Sequence, residues 1–159
     1  MVIILMGVSG CGKTTVGKLL SQEVGLPFFD ADDFHPPENV QKMESGQPLN
    51  DVDRQPWLEI LSDEITEWNQ SGGAILACSA LKEKYREILR KGEGDVQFVY
   101  LKGSRNLIWD RIKKRSGHYM PPELLDSQFD VLEEPHRDAF KISVDQSPKK
   151  IVKRLTEML

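Results

Sequence analysis

The sequence predicts an α/β fold of three layers, in which helices flank both faces of a five-stranded parallel sheet. Short, continuous apolar runs alternate along the chain with segments whose apolar residues recur at helical spacing. A continuous apolar run is typical of a strand buried on both faces. Strands that alternate with helices join in parallel through right-handed crossovers. We therefore expect one doubly wound domain over residues 1–159.

The first half of the chain predicts three strands and three helices. The apolar run 2–6 and the run 74–78 are typical of buried strands, and 27–30 is a short strand that ends in acids. A helix is expected over 14–24, where Gly25 follows its last turn. A short helix is expected within 35–46 and a longer one over 51–69. Apolar residues mark one face of that longer helix, namely Trp57, Leu58, Leu61, Ile65 and Trp68.

The second half continues the same alternation. Helices are predicted over 82–90 and 105–115, from Pro121 or Pro122 onward, and over 148–159. Strands are predicted over 96–101 and 140–144. The sequence contains no internal repeat and no linker that would divide it.

Composition limits the functional class. Hydrophobic residues make up 39% and charged residues 29% of the chain, as in ordinary soluble domains. The formal net charge of -4 argues against a nucleic-acid-binding surface. The apolar run at the N-terminus has neither a basic flank nor a membrane-spanning length. Cys11 and Cys78 lack metal-binding spacing and are expected to be free thiols. We therefore expect a cytoplasmic protein that uses neither membrane nor nucleic acid.

The strongest functional signal is a glycine loop after the first strand. It matches G-x-x-x-x-G-K-[ST] without a gap and consists of Gly7, Val8, Ser9, Gly10, Cys11, Gly12, Lys13 and Thr14. Such a loop cradles phosphates with its backbone N–H groups, and the following helix directs its positive end at them. Lys13 is expected on the β- and γ-phosphates, the Thr14 hydroxyl on Mg²⁺, and Thr15 near the α-phosphate. The loop thus predicts ATP and Mg²⁺ as ligands.

A run of acids follows the second strand, where ligands bind in open α/β sheets. If the segment is extended, Asp30 and Asp32 point to the same side. One would then serve Mg²⁺ and the other would orient the hydroxyl that receives the phosphoryl group. Asp33 fits a solvated turn or a helix cap, and a solvated acidic turn is the alternative for the other two acids.

Basic residues at two places suggest anion clamps. Arg111 and Arg115 lie one helical turn apart beside residues 112–122, which we interpret as a lid over the nucleotide. Lys82 and Arg86 follow the third strand, and Arg54 lies near the start of the long helix. These three are candidates for an anionic substrate. A solvated basic face is the alternative for Arg111 and Arg115, and ordinary surface pairing between residues four apart is the alternative for the other three.

The motifs resemble those of the gluconate kinases, which are small P-loop sugar-acid kinases. The likeness covers nearly the whole chain and includes, beyond the glycine loop, the blocks Asp30–Pro36, Pro48–Leu58, Cys78–Arg86, Tyr100–Gly103, Gly117–Pro121 and Leu124–Glu133. The blocks CSALK-x-x-YR and DxDRxPWL carry most of its specificity. One departure is Cys11, where serine is expected, so sensitivity to thiol reagents is predicted.

The resemblance implies a nucleoside-monophosphate-kinase-like P-loop NTPase fold and transfer from ATP to O6 of D-gluconate, often in a homodimer. It implies that Asp32 meets the substrate hydroxyls and that Asp30 serves the Mg²⁺ shell. It also implies that Arg54, Lys82, Arg86 and His118 bind gluconate. Two arginines complete the implied site, with Arg111 stacking on adenine and Arg115 binding phosphate.

Three alternatives remain at this point. Shikimate and adenylylsulfate kinases would share the loop and the acidic turn. A nucleoside monophosphate kinase is disfavoured because the segment between Arg115 and Pro121 is short. A GTPase switch would need an NKxD motif, which the sequence lacks.

The loop generates the first prediction. Lys13→Ala should lower turnover by at least about 100-fold, because charge stabilisation and positioning supply nearly all of the catalysis in phosphoryl transfer. Steady-state kinetics at saturating ATP measure the loss. Near-normal turnover would refute the assignment of Lys13.

Overall fold

The computed structural model describes residues 1–114, 121–136 and 138–159. Within these ranges the five strands are β1 (Val2–Met6), β2 (Phe28–Asp30), β3 (Ala74–Ala77), β4 (Val96–Lys102) and β5 (Ala139–Ser143). The helices are α1 (Lys13–Val24), α2 (Pro37–Glu44), α3 (Asp51–Gln70), α4 (Glu83–Arg90), α5 (Arg105–Lys113), α6 (Pro122–Val131) and α7 (Pro148–Met158). One element was not predicted, a 3-10 helix over Ala31–Phe34.

The strands form one parallel sheet in the order β2-β3-β1-β4-β5. The predicted α/β fold with a five-stranded parallel sheet is confirmed. Because all strands point the same way, the segments that follow β1, β2 and β3 meet at one edge. The glycine loop, the acidic turn and the basic segment before α4 therefore lie on the same side of the molecule.

The central strand β1 separates two apolar cores. Its residues alternate, so that Ile4 and its even-numbered neighbours face a core with α3 and α4, while Ile3 and Leu5 face α1, α5 and α7. All five residues of β1 are at most 4% exposed. This burial on both faces explains why the strand is a continuous apolar run.

Local signals in the sequence fix the ends of the helices. Asn50 accepts a hydrogen bond from the Asp53 N–H while the Asp53 carboxylate accepts one from the Asn50 N–H, so α3 begins with a capping box. Gly25 ends α1 with a φ of 73°, a conformation that glycine adopts at little cost. Among the described residues, no helix has both the length and the apolar character needed to cross a bilayer.

Trp57 fixes α3 against the acidic turn. Its indole N–H donates to the Ala31 carbonyl at 2.7 Å, and the residue is 7% exposed. Ala31 is the first residue of the 3-10 helix and is itself buried. The position of the turn after β2 therefore depends on α3 as well as on the sheet.

This contact generates the second prediction. Trp57→Phe should lower the free energy of unfolding by about 1–3 kcal/mol, because the buried Ala31 carbonyl loses its donor. Urea denaturation measures the change. The matched control is Trp68→Phe, since Trp68 is 8% exposed on the same helix but packs its ring on Phe29 at 4.5 Å. Equal losses in both variants would contradict a specific role for the hydrogen bond.

Candidate functional site

The glycine loop connects β1 to α1 as predicted, and it holds Lys13 close to its own backbone. The Lys13 ammonium donates to the carbonyls of Gly7 and Val8 at 2.9 and 3.1 Å. Gly12, which precedes α1, has a φ of 102° and no heavy atom within 4 Å of an added Cβ. The space beside Gly12 is therefore open at the point where α1 presents its first N–H groups.

The loop is packed tightly on its protein side. A Cβ at Gly10 would lie 2.5 Å from Cγ1 of Ile112, and Gly10 has a φ of 84°. A Cβ at Gly7 would lie 2.8 Å from the Cys11 Sγ. Since neither position tolerates a larger residue, α5 and the interior of the loop hold the backbone in its curved form.

Three of the loop N–H groups already have protein partners, and the first is the Gly7 N–H, which donates to the Ser79 carbonyl at 3.2 Å. The Ser9 N–H donates to Oε1 of Gln128 at 2.7 Å, and the Cys11 N–H donates to the Val8 carbonyl at 3.2 Å. Thr14 and Thr15 are exposed at the start of α1. The predicted phosphate contacts of Ser9 and Cys11 therefore require their N–H groups to change partner, whereas α1 starts beside open space.

The predicted sensitivity of Cys11 to thiol reagents is not supported by its position. Cys11 is 1% exposed and lies in the core with Val8 and Val16. Its Sγ points into the loop, where it approaches the Lys13 ammonium at 3.9 Å. A reagent in solvent reaches this thiol only after the loop opens, so we now expect slow alkylation of the folded protein.

A cleft of about 510 Å³ lies beside the loop, on the side of α5 and α7. It is lined by loop residues, by the first turn of α1, by Arg111 and by the segment between β5 and α7. Arg111 donates from Nη2 to the Val144 carbonyl, which fixes its guanidinium at the mouth of the cleft. Arg111 and the glycine loop thus face the same space, as the predicted nucleotide site requires.

The acidic turn differs from the prediction in its backbone. Asp30 is the last residue of β2, but Asp32 lies in the 3-10 helix and not in an extended segment. The Asp32 N–H donates to Oδ1 of Asp30 at 3.0 Å, so Asp30 caps this helix. The argument from alternation along a strand was therefore wrong, although the two carboxylates remain neighbours.

The electrostatic surroundings of Asp32 connect it to the glycine loop. Partial desolvation raises the pKa of Asp32, although its side chain is 84% exposed, and the Asp30 carboxylate raises it further. His35 and the Lys13 ammonium oppose this rise in pKa. Asp32 thus lies within electrostatic reach of both Lys13 and Asp30.

His35 lies behind Asp32. Its Nε2 is 3.9 Å from Oδ1 of Asp32, its ring stacks on Trp57 at 4.3 Å, and its side chain is 5% exposed. Nδ1 faces the side-chain amide nitrogen of Asn39 at 3.2 Å, and that nitrogen also donates to the Asp53 carbonyl. Burial lowers the pKa of His35; the Asp32 carboxylate opposes this shift, and the nearby Arg54 adds to it. With Nδ1 accepting from the Asn39 amide, Nε2 is the ring nitrogen that faces Asp32.

Two predicted substrate cations, Arg54 and Lys82, meet around Tyr85. The Arg54 guanidinium carbon and the Lys82 Nζ lie 5.7 and 5.6 Å from the Tyr85 ring centroid. Asp51 lies between them, at 3.8 Å from Nη1 of Arg54 and 3.5 Å from the Lys82 Nζ. Lys84 and the Tyr85 hydroxyl also bond to the Asp51 carboxylate, and they hold its pKa well below the usual range. Since one carboxylate faces three cations, the cluster keeps a net positive charge.

Arg86 is not accessible to a substrate, contrary to the prediction. The residue is 1% exposed. Its guanidinium donates to the Ala80 carbonyl at 2.7 Å, to the Glu133 carbonyl at 2.8 Å and to the Glu83 carboxylate at 2.9 Å. These bonds hold the loop after β3, where Ala80 has the positive φ of 45°. Arg86 is a structural residue of this loop.

The predicted roles of Arg115 and His118 lie outside the described residues, as does most of the predicted lid over 112–122. The described ends of that segment are consistent with its predicted limits, because α5 ends at Lys113 and α6 begins at Pro122.

Sequence reasoning missed several residues of the site. Asp51 and Lys84 were missed because no spacing rule connects the start of α3 to α4. His35 was not assigned a role, although its position after the acidic turn is a usable signal. Gln128 lies in a block that carries the family resemblance, but its contact with Ser9 was missed because the two residues are 119 positions apart.

The sheet order and the loop after β1, together with the acidic turn after β2, define a P-loop kinase that acts on small molecules. The model of the shikimate kinase family matches residues 9–159. The crystal structure of an adenylylsulfate (APS) kinase from Mycobacterium tuberculosis superposes with a TM-score of 0.72 over 99% of this chain and 96% of that one. At 16% identity, it supports the fold alone.

More similar relatives identify the family. The probable gluconokinase of Rattus norvegicus is 45% identical, over 99% of this chain and 97% of the relative. The gluconokinase of Gluconobacter oxydans is 44% identical over 96% and 88%. A gluconokinase crystal structure from Sinorhizobium meliloti has a TM-score of 0.86 at 38% identity, covering 99% of this chain and 94% of that one. The chain belongs to the gluconokinase family, which confirms the predicted resemblance.

The bonds of Arg86 generate the third prediction. Arg86→Met should lower the free energy of unfolding by about 2–3 kcal/mol, because buried acceptors lose their donor. Arg90→Met is the matched control, since Arg90 lies on the same helix, pairs with Glu83 and Asp138, and has a side chain that is 29% exposed. The control should cost less than about 1 kcal/mol. Denaturant unfolding measures both, and equal costs would contradict the structural role of Arg86.

Proposed function

We propose that this chain transfers the γ-phosphoryl group of ATP to the O6 hydroxyl of D-gluconate, which gives 6-phospho-D-gluconate and ADP. The observation that carries the proposal is a continuous series of charged groups along one edge of the sheet. Lys13 follows β1, Asp32 follows β2 and Lys82 follows β3, and Arg54 lies with Lys82 around the Tyr85 ring. The proposed phosphate site at Lys13 and the proposed site for the substrate carboxylate therefore lie at the same edge of the sheet as Asp32.

The donor end is formed by the loop and the cleft beside it. The first N–H groups of α1 and the Lys13 ammonium are suited to the phosphates, and the cleft at Arg111 is suited to the base. The remaining loop residues and Arg115 complete the predicted set of nucleotide contacts. Charge stabilisation of the transferring group by Lys13 and the arginines is the main catalytic effect expected in such chemistry.

The donor set also fits Mg²⁺, which prefers hard oxygen ligands. The exposed Thr14 hydroxyl at the start of α1 and the Asp30 carboxylate at the end of β2 offer such oxygens. A bound Mg²⁺ would neutralise phosphate charge during the transfer. Asp30 already accepts from the Asp32 N–H, which leaves further lone pairs on its carboxylate for a metal or for metal-bound water.

Asp32 is the residue we propose to orient the attacking hydroxyl. Its carboxylate is exposed, lies close enough to Lys13 to be affected by that charge, and has the His35 Nε2 at 3.9 Å from Oδ1. A carboxylate in this position accepts a hydrogen bond from O6 and directs the oxygen toward the γ-phosphorus. Direct in-line transfer then needs no covalent enzyme intermediate.

Arg54 and Lys82 are the residues we propose to bind the carboxylate of gluconate. Their side chains are 33% and 26% exposed, so both reach solvent while remaining partly desolvated. The net positive charge of the cluster around Asp51 favours one further carboxylate. His118 remains a predicted substrate ligand, while Arg86 is excluded by its burial. The homodimer and the cytoplasmic location also remain predictions.

A coupled assay of ADP release, with ATP-Mg²⁺ and D-gluconate, shikimate, adenylylsulfate or AMP, tests the proposal. We expect release that depends on D-gluconate alone, with the product identified by a 6-phosphogluconate dehydrogenase readout. A response to another acceptor and none to D-gluconate would reject the substrate site while leaving the nucleotide site intact.

Asp32→Asn is the fourth prediction. It should lower kcat by at least about 100-fold, since the amide is a poor acceptor for the hydroxyl proton. ATP affinity, measured by calorimetry, should change less than about threefold, because it depends mainly on the loop. Asp33→Asn is the control, an exposed acid in the same turn. Equal losses of ATP affinity and turnover in Asp32→Asn would argue for a metal-binding role instead.

A further inference from the structure

Gln128 links helix α6 to the glycine loop. The Ser9 N–H donates to its Oε1 at 2.7 Å, and its Nε2 donates to the Ser9 Oγ at 2.9 Å. A backbone N–H requires an acceptor, so these contacts also fix which end of the carboxamide is the oxygen. Both ends of one side chain are therefore used on a single residue of the phosphate loop.

The helix that carries Gln128 is firmly anchored. Leu125 of α6 is fully buried in the core that includes Ile108 and Ile112 of α5. Asp126 pairs with Nε of Arg105 at 2.7 Å. Gln128 thus reaches the loop from a fixed support, and Ile112 contacts the next loop residue, Gly10.

The chain just beyond α6 anchors the acceptor side of the site. The Glu133 N–H donates to the Leu81 carbonyl at 2.8 Å, and the Glu133 carboxylate accepts from the Glu83 N–H at 2.8 Å. The Glu133 carbonyl accepts from Arg86. One short segment, residues 128–133, therefore contacts both the phosphate loop and the start of α4, next to Lys82.

We propose that Gln128 is a positioning residue, which holds the glycine loop in its ATP-binding shape through Ser9. It also keeps the loop in a fixed position relative to the start of α4, next to Lys82, where the acceptor is proposed to bind. The first part concerns nucleotide binding alone, and the kinetic part rests on the proposed function. Because the Ser9 N–H donates to Gln128, Ser9 is held in a fixed position in the loop. The N–H groups that bind phosphate are then those of residues that follow Ser9.

The size of the effect follows from two hydrogen bonds. Each bond makes a modest contribution to the bound shape of the loop, and the loss of both corresponds to roughly a tenfold change in affinity. Gln128→Leu should therefore weaken ATP binding about tenfold. The KM for ATP should rise with it, whereas the KM for D-gluconate should change less than about twofold, because the contacts of Glu133 remain.

The experiment measures the Kd of ATP by calorimetry without acceptor, together with the melting temperature of each variant. Gln22→Leu is the matched control, since Gln22 is exposed near the far end of α1. Ser9→Ala removes only the hydroxyl contact and should weaken ATP binding about two- to threefold. On the logarithmic scale of free energy, this is about half of the tenfold loss expected when both contacts are removed. In a Gln128→Leu background, Ser9→Ala should cause no further loss, because both changes remove the same contact.

Several results would overturn the proposal. They are an unchanged Kd in Gln128→Leu, an additive loss in the double variant, or a lower melting temperature with unaltered ATP affinity. If Gln128→Leu does not fold, Gln128→Ala replaces it, since water can then satisfy Ser9. A failure of D-gluconate as acceptor leaves this test intact, because the calorimetry contains no acceptor.

Discussion

The parallel pairing of β1 with both β3 and β4 determines where the functional side chains of this protein lie. A strand that is paired on both edges and covered on both faces must be apolar along its whole length, and its polar chemistry can begin only where the strand ends. Gly7 marks that end, and the loop that follows is compressed between the Cys11 side chain and Ile112 of α5. The curvature that exposes the start of α1 is thus imposed by the core that contains Cys11 and Ile112.

The same constraint brings opposite charges close together. The turn after β2 carries acids, the segments around α3 and α4 carry cations, and both lie at the edge where the phosphate loop ends. Asp51 bonds to Lys84 and the Tyr85 hydroxyl and lies beside Arg54 and Lys82. Arg86 is buried and pairs with the Glu83 carboxylate. Buried or crowded charges are stable only when they are paired. The pairing leaves an excess of positive charge on the acceptor side, which suits a substrate with a single carboxylate.

Sequence patterns were sufficient to predict those features that depend on residues close together in the chain. The glycine loop, the buried strands and the ends of most helices depend on residues that are near one another in the chain, and the structure agrees with them within a residue or two. The reasoning failed at Asp32, because a 3-10 helix depends on a cap from Asp30 and on the contact of Ala31 with Trp57. It failed at Arg86 because an arginine that binds substrate and one that binds backbone carbonyls have the same appearance in sequence.

The sequence by itself therefore determined the sheet, the glycine loop and the family. The spacing of apolar residues, the spacing of glycines and the family motifs can all be identified without knowing the tertiary structure. The tertiary structure alone decided which charges are free to meet a ligand. It buried Arg86 and the Cys11 thiol, joined Arg54 and Lys82 around Tyr85, and brought Gln128 to Ser9. The physical reason is that desolvation and hydrogen-bond geometry depend on neighbours that are distant in sequence, and these neighbours are known only when the layers have packed.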